Sequence, residues 1–202
     1  MSDHYYSNKP TVQHDLRTIC VTLRGFTLRF LTDAGVFSKG GIDFGSELLI
    51  DSMDIPEDAS VLDVGCGYGP IGITAAKLAS RGSVTMVDIN ERAVDLARRN
   101  IEQNEVGNAE AHVSDRLFAV AGRKFDRILT NPPIRAGKAV VHAIFSDAAE
   151  HLTERGELWV VIQKKQGAPS AKKRLEELFE TVEDVARDAG FRIFRCTEPI
   201  RS

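Results

Sequence analysis

Residues 61–70 read Val61-Leu62-Asp63-Val64-Gly65-Cys66-Gly67-Tyr68-Gly69-Pro70: a short apolar run, three alternate glycines, and a proline suited to the first turn of a helix. Glycines between a strand and a helix let the backbone bend sharply and come close to a ligand, and the helix start beyond them offers free N–H groups. Working outward, short apolar runs at 61–64, 83–88, 111–113, 127–130 and 157–162 alternate with stretches of helical spacing at 70–80, 91–104, 140–152 and 171–189. Residues 192–196 form a further candidate strand, and Asn90 is placed to cap the second helix. This alternation predicts an α/β fold, a doubly wound and mainly parallel sheet with helices on both faces.

Upstream, Ile19, Val21 and Leu23, then Phe26, Leu28 and Phe30, recur at every second residue around Gly25, as in an antiparallel hairpin. A helix is expected from about Ser46, with Leu48, Leu49 and Met53 on its apolar side and Pro56 ending it. The expected organisation is an arm and hairpin over 1–45 packed on a main unit over 46–202. A chain of 202 residues with 43% hydrophobic and 27% charged side chains matches an ordinary folded domain, not a disordered, collagenous or coiled-coil chain. Net charge is −3, so a polyanion would need a local basic patch. Cys20, Cys66 and Cys196 are odd in number and lack metal-ligand spacing, which argues against a disulfide framework and for a reducing compartment with no metal site. The first eleven residues hold no apolar core and no run approaches the roughly 18 apolar residues of a membrane span, so a cytoplasmic protein is expected.

The glycine order Gly65-x-Gly67-x-Gly69 departs from the G-x-G-x-x-G of dinucleotide sites, which argues against a nicotinamide-dependent dehydrogenase. An acid two residues before the first glycine suits a ligand with an ammonium group, such as the methionine part of S-adenosylmethionine, and Asp63 is the candidate contact. Asp88 ends the second strand of the unit, where an acid can accept hydrogen bonds from ribose hydroxyls. Ile89 and Asn90 are placed to flank an adenine, and Ser114 and Asp115 end the third strand, where either can meet its amino group. Acids at consecutive strand ends converge on the crevice beyond the carboxyl edge of such a sheet.

The fourth strand runs into Asn131-Pro132-Pro133-Ile134, followed by Arg135 and Lys138. Two prolines stop sheet pairing and stiffen the turn. An exocyclic amine on a base is a poor nucleophile, because its lone pair is delocalised into the ring. The Asn131 side-chain oxygen and the Pro132 carbonyl can take its two protons, which fixes its orientation and stabilises the charge that develops on nitrogen.

On these motifs the chain resembles the class I S-adenosylmethionine-dependent methyltransferases with a Rossmann-like fold, of the small-domain type found in ribosomal RNA guanine-N2 methyltransferases. The likeness runs from Gly35-Val36-Phe37-Ser38 through Ile42-Asp43-Phe44-Gly45-Ser46, the loop from Asp63 to Gly69, Asp88, Asp115 and Asn131 to Ile134, and on to Lys164-Lys165-Gln166-Gly167-Ala168. Within the group the chain is similar to the short, single-domain members. The resemblance implies methylation of guanine N2 in small-subunit ribosomal RNA, with S-adenosylhomocysteine as product. It places the cofactor on Asp63, Gly65, Cys66, Gly67, Gly69, Asp88, Ile89, Asn90, Ser114, Asp115 and Asn131, chemistry on Asn131, Pro132 and Pro133, and RNA on Ile134, Arg135, Lys138 and Phe37. Base methyltransferases often carry an aromatic residue after Asn-Pro-Pro; here it is Ile134, so stacking must come from elsewhere, with Phe37 as one candidate. Asp43 and Ser46 fit either a place near the cofactor or a turn and helix cap, and the basic run from Lys164 through Lys172, Lys173 and Arg174 fits either phosphate contact or a solvated face. Adenine N6, cytosine N4 or a protein glutamine amide would be served by the same acceptor logic. A scaffold that binds cofactor and RNA without turnover is the remaining alternative.

Overall fold

The computed structural model describes residues 11–36 and 41–201, and Phe37 lies outside them. Among the described residues the first two strands form a hairpin, β1 (Arg17–Leu23) and β2 (Phe26–Thr32), paired antiparallel. Its two turn residues, Arg24 and Gly25, both have positive φ, 52° and 85°, as a two-residue turn matched to strand twist requires. The hairpin is pinned at two places. Arg24 donates to the carbonyls of Ile50 and Met53 at the end of α1 (Phe44–Ser52), each at 2.9 Å. Leu31 exchanges backbone hydrogen bonds with the amide of the buried Asn100.

A seven-stranded sheet follows, in the order β5-β4-β3-β6-β7-β9-β8. The strands β3 (Ser60–Val64), β4 (Ser83–Asp88), β5 (Ala109–Val113), β6 (Phe125–Thr130) and β7 (Leu152–Gln163) are parallel. The helices α2 (Pro70–Leu78), α3 (Glu91–Gln103), α4 (Lys138–Glu150) and α5 (Ala168–Leu178) cover its faces. Successive strand residues point to opposite sides, so β7 sends Trp159 and Val161 into one apolar cluster, with α1, α2, α3 and the hairpin. Leu158, Val160 and Ile162 enter the other, with α4 and α5. Burial on both faces explains why these strands read as nearly continuous apolar runs.

Strand ends mostly fall within a few residues of expectation, as does the start of α1 at Phe44, two residues before Ser46. One element is a correction. The helix expected over 171–189 stops at Leu178, and residues from Phe179 form β8 (Phe179–Asp188), antiparallel to β9 (Phe191–Pro199). Leu175, Leu178, Val182 and Ala186 imitate helical spacing. The β-branched Thr181, Val182 and Val185, and the Ala189-Gly190 turn with φ of 46° and 81°, instead support an edge hairpin. Its charged outer strand, with Glu180, Glu183 and Arg187, suits an exposed sheet edge. Among the described residues no helix is long and apolar enough to cross a membrane.

Candidate active site

The register of the sheet sets three strand ends level. Val64 pairs with Val87 on one side and Thr130 on the other, and Asp88 pairs with Val113. The glycine loop therefore leaves β3 between the end of β4 and Asn131. Its entry is fixed by Gly65 N–H and Cys66 N–H, which both donate to Val87 O at 2.8 and 3.0 Å. Gly65, Gly67 and Gly69 have φ of 73°, 57° and 108°, a left-handed backbone that favours glycine. A side chain on Gly65 would point into open space, with only Asn131 O nearby at 3.9 Å. Loop and Asn131 thus flank one gap.

Two buried carboxylates support the loop. Asp88 accepts from Gly67 N–H at 2.8 Å and from Asn90 N–H at 2.9 Å. Asp63 accepts from Gly72 N–H at 2.9 Å through Oδ2, while its buried Oδ1 has no hydrogen-bond partner. Burial pushes the Asp63 carboxyl up to about 7; the Gly72 N–H opposes this and the nearby charge of Asp88 adds to it. An orphaned acceptor oxygen beside a glycine loop is costly unless a donor arrives. Gly72, absent from the sequence reading, makes the support possible: a Cβ there would lie 2.1 Å from Met86 Sδ and 3.0 Å from Asp63 Oδ2. A glycine inside the first turns of a helix, where it costs about 1 kcal/mol relative to alanine, was the available signal. Cys66 is buried, and burial foremost, with the charges of Asp88 and Asp63, pushes its thiol well above the usual range, so it is no nucleophile at neutral pH.

A crevice runs from the loop along the strand ends, lined by Gly65, Asp88, Ile89, Ser114, Arg116 and Pro133 among others. Arg116 was not anticipated. Ser114 Oγ donates to Arg116 O at 2.9 Å and accepts from Ala119 N–H at 3.0 Å, so its hydroxyl shapes the turn. Asp115 is exposed and outside the crevice lining. Asn90 is fully buried, caps α3 by accepting from Ala93 N–H, and donates to Gly35 O at 2.9 Å.

Asn131 lies across the gap. Its Nδ2 donates to Asp43 Oδ1 at 3.2 Å and to Ser46 Oγ at 3.1 Å. Asp43 itself caps α1, accepting from Ser46 N–H at 3.0 Å. The amide orientation is thereby settled, because only the NH2 end can face a carboxylate. Neither Asn131 Oδ1 nor the Pro132 carbonyl takes a hydrogen bond from the described residues. Thr130 Oγ1 donates to Val64 O at 2.9 Å and locks the two strand ends together. Ile134 opens a second crevice of about 110 Å³, lined also by Lys138, His142, Ile162 and Ser170. Arg135 and Lys138 are exposed beside it. Lys172 and Arg174 pair with Glu176 and Glu177 along α5, whereas Lys164 and Lys165 are exposed and have no carboxylate partner among the described residues. Among the described residues no cluster of His, Cys, Asp or Glu could hold a metal ion.

A Rossmann-like sheet with a glycine loop, acids at two neighbouring strand ends and an Asn-Pro-Pro turn at a third defines the class: a methyltransferase. Residues 27–195 match the methyltransferase small domain family, and the chain belongs to it. Methyltransferases of this family use S-adenosylmethionine. The chain is 53% identical over 198 residues to the uncharacterized protein YbxB of Bacillus subtilis, covering 97% of this chain and 98% of that one. It is 32% identical over 194 residues to ribosomal RNA small subunit methyltransferase C of Haemophilus influenzae, covering 93% of this chain but 57% of the relative. Among solved structures, the 16S rRNA N2 methyltransferase of T. thermophilus, in complex with AdoMet and guanosine, superposes with a TM-score of 0.81 at 26% identity, over 94% of this chain and 52% of that one. The chain thus spans a little over half the length of these ribosomal RNA relatives.

Proposed function

We propose that the protein methylates an exocyclic amino nitrogen of RNA, with guanine N2 of small-subunit ribosomal RNA as the acceptor. The observation that carries this reading is the fixed amide of Asn131, whose NH2 is tied to Asp43 and Ser46 while Oδ1 and the Pro132 carbonyl stay available. Two acceptors on a stiff Pro132-Pro133 turn match the two N–H bonds of an amino group. The ribosomal RNA relatives, including one named for N2 chemistry, support the choice of base.

The residues present fit the cofactor. The free Oδ1 of Asp63 suits an ammonium group, and in the loop of Gly65, Cys66, Gly67 and Gly69 the first glycine leaves open space where a side chain would stand. Asp88 ends β4 beside the glycine loop and lines the crevice, at the strand end where an acid can meet ribose hydroxyls. Ile89 and the strand-end turn at Ser114 line the place for an adenine, and Asp115 and Asn90 serve this end through the turn and the helix cap. When bound, S-adenosylmethionine supplies a methyl group on a sulfonium, ready for in-line displacement. Asn131 Oδ1 and Pro132 O hold the two N–H bonds so that the nitrogen becomes tetrahedral and its lone pair is withdrawn from the ring π system, and their dipoles stabilise the charge that develops on nitrogen. The alkylated nitrogen is then strongly acidic, so its extra proton passes to water without a dedicated side-chain base. Ile134, Arg135 and Lys138 border the acceptor turn and contact the RNA.

The test is incubation of the purified protein with labelled S-adenosylmethionine and either ribosomal subunits or naked RNA, then digestion to nucleosides and mass spectrometry. Label in N2-methylguanosine is expected. Label in methylated adenosine or cytidine would move the acceptor, and label only in protein would overturn the RNA reading.

A further inference from the structure

Beside the acceptor turn lies an aromatic pair that the methyl-transfer chemistry leaves unused. Phe44 follows Asp43, the residue that holds Asn131, and is 42% exposed as a residue. The ring packs on Phe191 at 5.6 Å with an interplanar angle of 41°. Phe191 is fixed from behind by Gly45, where a Cβ would come within 2.9 Å of its ring. It pairs with Gln163, the last residue of β7, so both rings stand at the end of the sheet that carries Asn131.

Beyond Phe191 opens a cavity of about 470 Å³, with Lys164, Arg187, Asp188 and Arg192 on its walls. Lys164 N–H donates to Gly190 O at 2.7 Å and joins the β8–β9 turn to the end of β7. Arg187 and Arg192 share the single carboxylate of Asp184, and the Arg187 side chain is still 68% exposed. This face carries the three cations Lys164, Arg187 and Arg192 against the two carboxylates of Asp184 and Asp188. Accessible aromatic rings, here an exposed Phe44 and a half-buried Phe191, beside an excess of cations are the two components with which proteins hold single-stranded nucleic acid, by stacking on bases and neutralising phosphates. Ile134, at the position after Asn-Pro-Pro, offers no ring of its own.

We propose that Phe44 and Phe191 form a stacking platform for an unpaired base next to the methylated nucleotide, with Lys164 and Arg187 holding the adjoining phosphates. This rests on RNA being the acceptor, as argued above. The edge hairpin β8–β9 is then a substrate-binding element and not merely a cover for the end of the sheet.

The experiment measures binding of a fluorescently labelled, unstructured RNA oligonucleotide to the full chain by anisotropy across a salt series. Phe44→Ala is expected to bind roughly tenfold more weakly and Phe44→Trp to restore binding. Lys164→Ala and Arg187→Ala are each expected to lower the slope of log affinity against log salt by about 0.7. S-adenosylhomocysteine affinity and melting temperature should stay at wild-type values in all four. If the wild-type chain neither binds nor methylates RNA, the acceptor reading falls and this inference with it. If it methylates RNA while Phe44→Ala and Lys164→Ala bind the oligonucleotide as wild type does, this inference alone is overturned. Weakened binding to a ribosomal protein, with RNA binding unchanged, would overturn it equally.

Discussion

The two sides of the crevice are held by opposite means. On the cofactor side, buried carboxylates accept hydrogen bonds from backbone N–H groups no more than 21 residues away, Asp63 from Gly72 in its own βα unit and Asp88 from Asn90 in its own unit and Gly67 in the neighbouring one. On the acceptor side, a side-chain amide is held by side chains 85 and 88 residues away in sequence. The first arrangement follows from the glycine loop and its flanking strands. The second exists only while α1 stays docked, and Arg24 of the hairpin and the contact of Gly45 with Phe191 keep it so. Disturbing α1 should therefore disable methyl transfer before cofactor binding, whereas disturbing β3 or β4 should do the reverse.

The sharpest way to break this contrast is Asn131→Ala. Losing a preorganised acceptor at the reacting group is expected to lower kcat by about 10²–10³-fold, while S-adenosylhomocysteine binding by calorimetry stays near wild type. Turnover that survives would remove Asn131 from the chemistry. The converse change, Asp63→Asn, should weaken the cofactor by roughly tenfold or more, because a hydrogen bond to a charged partner is worth about 1.5–3 kcal/mol. Asp63 also makes binding depend on pH. Its folded value of about 7 lies above the ordinary 3.8, so between these values the folded chain holds a proton that the unfolded chain has lost. Stability of the cofactor-free protein therefore falls as pH rises through that window. The ammonium-bearing ligand needs the carboxylate, so its affinity rises as pH passes upward through about 7. Calorimetric titrations on either side of neutrality should show this in the wild type and not in Asp63→Asn; a flat wild-type profile would detach Asp63 from the ligand.

What could be read along the chain mirrors the same division. Asp63, the alternate glycines, Asp88 and Asn131-Pro132-Pro133 are legible because each element carries its chemistry in consecutive residues at a strand end. Asp43 and Ser46 stayed ambiguous between cap and function; in the fold Asp43 caps α1 through one oxygen that also holds Asn131, and nothing local to residue 43 announces a partner 88 positions on. Phe44 and Phe191 meet only because β9 folds back along β7. The misread helix end has a different cause: half-buried edge strands show no clean alternation, and β8 carries an irregular register between Asp184 and Ala186.

Packing under the cofactor loop gives a third test. Gly72→Ala would place a methyl group against Met86 Sδ, where 2.1 Å is available, so α2 must move away from the sheet. Overpacking of this kind costs about 1–3 kcal/mol and should appear as a lower urea midpoint. The displaced N–H would also leave Asp63 Oδ2 without its donor, so cofactor affinity should fall with stability. Wild-type stability in Gly72→Ala would mean that Met86 can swing aside without cost.

The smallest expected effect separates positioning from support most cleanly. Ser46→Ala removes one of the two acceptors from Asn131 Nδ2 but leaves the cap of α1 intact, because Asp43 is bonded by the backbone N–H of residue 46 and not by its hydroxyl. One neutral hydrogen bond is worth about 1 kcal/mol, so kcat should drop about fivefold as the amide gains freedom to turn. KM for S-adenosylmethionine and the melting temperature should hardly move, since neither the glycine loop nor the helix start has changed. A fall in melting temperature with kcat preserved would make Ser46 a packing residue. A fall in kcat shared equally with cofactor affinity would mean that the two sides of the crevice are not separable in the way their bonding implies.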